Sequence, residues 1–159
     1  MAITSAICNS FKVEILQGGH NFNDSSGAPT GNAFKLALFT DSATLSKSTT
    51  AYTAPADATA DPTNTYEVTT TSSGYTGGGN TLTSTTPVLS GDTACCKFAD
   101  TSWGSSASFT ARGCLIYNSS ASNKAVCAIN FGSDKTVTSG TFTIQFPAQT
   151  AGNAIIQIA

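Results

Sequence analysis

Two hydrophobic periods run along this chain, and the switch between them divides it. Ile3, Ile7, Phe11 and Ile15 or Leu16 recur every three to four residues, with Ser5, Asn9, Ser10, Lys12 and Glu14 mainly on other faces. That spacing predicts a helix over residues 3–17. Gly18-Gly19 ends the pattern, as a left-handed C-cap would. Residues 21–32 read as a loop rich in Gly, Asp, Ser and Pro. From Ala33 the period is two: Phe34, Leu36 and Leu38 alternate with Lys35, Ala37 and Phe39.

The rest of the chain keeps to strands and turns. Residues 41–64 are poor in large apolar side chains and predict a long surface loop, and 74–80 form a glycine-rich loop. Strands are expected at 80–89, 93–99, 107–118, 124–131, 136–146 and 153–158. Several short strands at regular spacing point to a mainly β fold: an antiparallel β-sandwich or jelly-roll-like domain with one N-terminal helix. The 159 residues suit one domain, 1–159, with the β part over 33–159. One hairpin can be set in register. With a loop of residues 119–122, Cys114 falls directly opposite Cys127, where Cβ atoms lie about 4.5–5.5 Å apart, near disulfide reach.

Composition narrows the function. Charged residues are only 10% of the chain, and the net charge is −2. An average soluble domain carries about 25% charged residues. Thr favours pleated, half-buried positions because its branched Cβ is stiff. Neutral hydroxyls solvate a surface without the repulsion that keeps copies apart, so the chain tolerates dense packing. The seven Lys and Arg are scattered, which argues against a nucleic-acid interface. No apolar run approaches the roughly 20 residues that span a bilayer, so no membrane partner is expected. No basic segment followed by an apolar one opens the chain, so no secretory signal is expected.

Candidate chemistry is sparse. Five cysteines, Cys8, Cys95, Cys96, Cys114 and Cys127, leave an odd thiol once pairs are drawn. Cys95 and Cys96 are strand neighbours and point to opposite faces. Burial as small hydrophobes and disulfides within or between chains share the weight. No C-x-x-C pair exists, and the lone histidine, His20, lies elsewhere, so no metal is expected. His20 itself suits a surface or cap role. The nine acids mostly neighbour turn residues. Asp100 ahead of Trp103 is the one pair that suggests a sugar site; a turn Asp and a packing Trp explain it more simply. The 74–80 loop lacks the G-K-[ST] ending of a phosphate cradle. No cofactor and no enzymatic activity are expected.

The order of blocks also carries a resemblance. Cys8-Asn9-Ser10-Phe11-Lys12, Phe34-Lys35-Leu36-Ala37-Leu38, Gly74-Tyr75-Thr76-Gly77-Gly78, Phe98-Ala99-Asp100, Phe109-Thr110-Ala111-Arg112-Gly113, Phe131-Gly132-Ser133-Asp134-Lys135 and Phe142-Thr143-Ile144-Gln145-Phe146-Pro147 resemble a group of small virion structural proteins of tailed bacteriophages. In that group positions 95, 96, 114 and 127 are usually aliphatic or acidic, so the cysteines here are a departure. The resemblance implies a capsid decoration (cement) protein located in the virion. Its partners would be the major capsid protein and copies of itself, with a homotrimer expected. Candidate partner contacts are Ile3, Ile7 and Phe11 on the N-terminal stripe, which either docks on a neighbour or covers the sandwich, and Trp103. The alternative is a tail-appendage or fibre module that recognises a host glycan, with Trp103, Tyr75 or Tyr52 gathered in a groove.

Overall fold

The computed structural model describes residues 2–24, 30–53, 66–70 and 73–159. Its elements are β1 (Ala6–Ile7), α1 (Asn9–Leu16), β2 (Phe34–Phe39), β3 (Asn80–Leu82), β4 (Val88–Ser90), β5 (Thr93–Cys96), β6 (Thr101–Asn118), β7 (Lys124–Ile144) and β8 (Ile156–Ile158). All named strand pairs are antiparallel. They form a five-stranded sheet ordered β1-β7-β6-β2-β3 and a three-stranded sheet ordered β4-β5-β8. Ile156 of β8 belongs to the cluster built on the large sheet, and Cys96 of β5 packs against it. The arrangement is a mainly β, sandwich-type fold with one short helix.

β2 shows why alternation along a strand is not always alternation of burial. Five of its six residues are buried, all but Lys35. Its Phe34 side meets Phe22, whose ring stacks at 4.4 Å, and Phe98 at 5.5 Å. Across β6 the next side chain, Tyr117, stacks on Tyr52 at 4.4 Å. Both faces of the sheet centre are therefore covered, and an apolar residue at either phase is stabilised by burial.

The N-terminal segment departs from the expected 3–17 helix. Only Asn9–Leu16 is helical. Ile3 makes a parallel bridge with Leu45, and Ala6–Ile7 pair with Ala128 and Cys127. Thr4 N donates to Leu45 O (2.8 Å) and Cys8 N to Val126 O (2.9 Å). Backbone groups of β7 and the 45 turn thus outbid the helical period, since tertiary pairing overrides local propensity. Gly113 makes room for this arm: a Cβ there would lie 2.4 Å from Ile129 O and 2.9 Å from Ile3 Cδ1. The helix does end at the glycine pair, with Gly18 at φ +73° and Gly19 N bonded to Glu14 O at 2.8 Å.

Other boundaries shift as well. The expected 80–89 strand splits into β3 and β4, which lie in different sheets. The expected strands at 124–131 and 136–146 are one strand, β7, bent by an excursion opposite Arg112 where Gly132 takes φ +80°. The first part of the expected surface loop is partly core: Ala43, Leu45 and Tyr52 are buried. Its residues 54–64 lie outside the described set. The hairpin register is also corrected. Asn118 pairs with Lys124, and Ser122 and Asn123 take φ of 54° and 59°, so the turn is one residue longer than expected. A further shift between Ile116 and Tyr117 places Cys127 opposite Ile116 and Cys114 opposite Ile129. The two cysteines are diagonal, at the roughly 7–8 Å typical of such neighbours. All five cysteines are free thiols, so no disulfide forms within the chain and Cys114 and Cys127 are not bonded to each other.

Candidate functional site

Short strands with apolar ends leave an exposed hydrophobic row. In the small sheet Leu89 pairs with Ala94, and Ala94 with Ile158, so the three side chains form a row across β4, β5 and β8. Leu89 is 73% and Ile158 59% exposed. Cys96 and Ile156, two residues along their strands from Ala94 and Ile158, share this face and pack toward the core. The row is therefore the continuation of a core-facing surface beyond the point where the large sheet covers it. A second patch sits on α1, where Val13 and Leu16 are exposed one turn apart.

A groove of about 490 Å³ opens beside β7. Ile129, Phe131, Phe142, Ile144 and Phe146 line one side, and Pro147 and Ile155 of the following segment line the other. Among the described residues that line it, Lys135 is the only charged one. Its ammonium donates to Ser133 Oγ at 3.0 Å.

The polar chemistry is inside. Glu67, one of the nine acids, is buried beneath the glycine loop. Its Oε1 accepts from Tyr75 Oη (2.6 Å) and from Gly78 N (2.7 Å), and its Oε2 accepts from Tyr52 Oη (2.8 Å). Tyr117 Oη donates to Gly78 O at 2.8 Å, and Leu38 N donates to Tyr75 Oη at 3.0 Å. Burial, reinforced by the Glu67 charge, raises all three phenols, Tyr52, Tyr75 and Tyr117, well above the ordinary tyrosine range. The loop reaches this site because Gly78 and Gly79 take φ of +83° and +71°. A Cβ on Gly79 would fall 1.7 Å from Leu36 O.

His20 is also interior, contrary to the expected surface role. Its Nε2 lies 2.9 Å from Glu14 Oε2, and its Nδ1 lies 3.1 Å from Asn118 Nδ2. Asn118 Oδ1 accepts from Ser120 N, which fixes the amide with its NH₂ toward the ring. Nδ1 is then the acceptor and Nε2–H donates to Glu14. Lys124 approaches the other Glu14 oxygen at 3.5 Å. This chain of contacts pins α1 to the β6–β7 turn.

The residues singled out as partner contacts face inward. Ile3, Phe11 and Trp103 are buried, and Ile7 packs partly buried against the core. Trp103 stands among Tyr75, Phe109 and Phe142, and Asp100 Oδ1 accepts from Phe146 N at 2.9 Å. Cys8, Cys95, Cys114 and Cys127 are buried, and Cys96 is half-buried. Burial pushes the Cys8 and Cys96 thiols up to about 11 and Cys127 up to about 12, and holds Cys114 well above the usual thiol value. Among the described residues no group of three or more His, Cys, Asp or Glu is placed to hold a metal. No helix among them is long and apolar enough to cross a membrane.

The sequence reading missed Leu89, Ile158, Glu67 and the groove. Leu89 and Ile158 look like ordinary strand apolar residues, and only the sheet register reveals that nothing covers them. Glu67 carried a signal that was passed over: it sits between Tyr66 and Val68 rather than beside turn residues. No family model matches the chain, and neither a curated protein nor a solved structure matches it.

Proposed function

We propose that this protein is a phage virion structural protein that decorates and stabilises the capsid shell by bridging neighbouring subunits. The observation that carries the reading is the exposed row Leu89–Ala94–Ile158, a core-type surface left open on a weakly charged domain. A partner that covers it removes apolar area from water, worth roughly 25 cal/mol per Å² before the costs of association. The assignment to a phage particle rests on the sequence blocks described above. In this reading the partners are the major capsid protein and other copies of the chain, as a homotrimer on the shell. Each contact is weak, and repetition over the lattice makes the sum strong. The protein acts by contact rather than by catalysis; Glu14, His20 and Glu67 are engaged in interior hydrogen bonds.

The glycan-binding alternative needs an open ring platform, and Trp103, Tyr75 and Tyr52, the rings it would use, are buried. Quantitative mass spectrometry of purified virions tests the proposal. Copies on the order of hundreds per particle are expected of a shell component. About a dozen or fewer would place the protein at the neck, tail or fibre and overturn the reading. Leu89→Lys and Ile158→Lys should lower occupancy on the particle while leaving the isolated protein folded.

A further inference from the structure

β7 is 21 residues long, yet its outer neighbour β1 covers only Cys127 and Ala128. Asn130 is the last residue tied to the N-terminal arm, through Ser5 Oγ and Ile3 O. Beyond it, to Ile144, no described strand pairs with the outer edge of β7. Backbone donors and acceptors there point outward at every second residue. Positive φ at Gly132 and Ser139 and the register breaks beside them leave two regular lengths of edge, 135–138 and 140–144. β3, β4 and β8 are also marginal strands, but each offers three residues. The groove is formed by side chains of this same strand and the segment after it, Ile129, Phe131, Phe142, Ile144 and Phe146, together with Cys114 of β6, and Lys135 is the one charged side chain among its described lining residues.

We propose that the open edge of β7 and its groove are an acceptor site for an extended, alternating apolar peptide segment that carries one acidic residue. The edge supplies main-chain hydrogen bonds, and the groove takes alternate side chains, the division of labour seen in strand addition. Lys135 sets the charge of the guest. Its ammonium meets only a neutral hydroxyl, and no described carboxylate pairs with it. A second copy of β7 is the poorer guest. It would bring another Lys135 to the site, and its Asp134 is already held by Arg112 at 2.6 Å. This inference deepens the proposed function by naming what a neighbouring subunit would insert, and it rests on that reading only for the source of the segment. The site itself needs no virion.

The test uses the purified chain and a fluorescein-labelled twelve-residue peptide of alternating Val and Thr with one Glu near its end, followed by anisotropy. A matched peptide N-methylated at alternate backbone nitrogens keeps the side chains and loses the donors. Saturable binding of the first peptide, lost on N-methylation, is expected. Lys135→Glu should weaken it roughly two- to fivefold, the scale of one exposed charge contact. A peptide with Lys in place of Glu should reverse that preference. Equal binding of the N-methylated peptide would show adsorption to an apolar patch and overturn strand addition. So would absence of binding at millimolar peptide. Sedimentation of the protein alone provides a second measurement: a dimer abolished by Lys135→Glu would make a second copy the occupant and overturn the peptide assignment. Shell occupancy in virions is independent of all these results, so the two readings can fail separately.

Discussion

Replacing Glu67 by alanine should cost more stability than any other single side-chain truncation near the glycine loop. Three donors converge on its carboxylate: Tyr75 Oη, Gly78 N and Tyr52 Oη, at 2.6, 2.7 and 2.8 Å. Alanine leaves all three buried without that acceptor. A hydrogen bond to a charged group contributes about 1.5–3 kcal/mol, and losses within one network do not add fully, so the set is worth roughly 3–6 kcal/mol. That rivals the whole stability of a domain this size, about 5–15 kcal/mol. Glu67→Gln is milder. Its carbonyl can still accept from Tyr75 and Gly78, and its amide can donate to the Tyr52 oxygen, so the charge and the acceptor for the Tyr52 hydroxyl are lost, at about 1–2 kcal/mol. Asp134→Ala is the control. The Arg112–Asp134 pair is equally short at 2.6 Å, but the side chains are 32% and 46% exposed, and such pairs contribute about 0–1 kcal/mol. Urea unfolding followed by the single tryptophan, Trp103, reads all three, since its ring lies 5.9 Å from that of Tyr75. The reasoning fails if Glu67→Ala loses less than about 1 kcal/mol, or if it is no worse than Glu67→Gln.

Three further outcomes follow from the same structure. Stability should fall as pH rises above 10: Tyr52, Tyr75 and Tyr117 are raised in the fold, so their contribution is intact below the unfolded tyrosine value and is lost as pH climbs towards the folded values. Absorbance at the tyrosinate band during alkaline titration checks this, and ionisation of these phenols without unfolding would contradict it. Gly79→Ala should prevent folding, because Leu36 O occupies the Cβ position, whereas Gly91→Ala, at φ +62° with open space, should cost about 1 kcal/mol; circular dichroism and urea melts distinguish them. At pH 8 a thiol reagent should label native protein slowly and at Cys96 first, with all five cysteines reacting after unfolding; mass mapping of the adducts shows the order.

Much of the fold is legible in the sequence where local and global demands agree. Gly18-Gly19 stops a helix, Phe34 to Phe39 is a strand, and a β-sandwich follows from the spacing of turns. The failures arise where partners far along the chain decide. Ile3 and Ile7 have helical spacing, but β7 and Leu45 offer their backbone a better partner. The hairpin register depended on one residue in a loop; the left-handed Asn123 added that residue, and a further shift between Ile116 and Tyr117 completed the separation of Cys114 from Cys127. Candidate surface residues failed for a related reason. Trp103 and Phe11 are large and apolar, so the sequence could not distinguish a contact aimed outward from one aimed at the core. Leu89 and Ile158 show the converse: ordinary strand residues left open because β4 and β8 outrun their cover.

That overhang bears on how a decoration protein could work. A protein that bridges two neighbours needs at least two adhesive surfaces, and each must be weak enough to keep the free protein soluble. The row on the small sheet and the groove beside β7 are built from different strands. Each is small, and Lys135 is the one charged side chain among the described residues that line the groove. The domain's ionised groups near the core, Glu67, Glu14 and Lys124, are spent on holding loops and α1 in place. The interior polar networks therefore make a rigid body whose margins remain sticky. Rigidity matters because ordering a loose surface on binding would cost about 0.5–1.5 kcal/mol for each side chain fixed, comparable to what one exposed apolar residue returns. On the proposed reading, a shell partner that completes both margins would gain the apolar burial without that penalty, and the gain would be repeated at every lattice site.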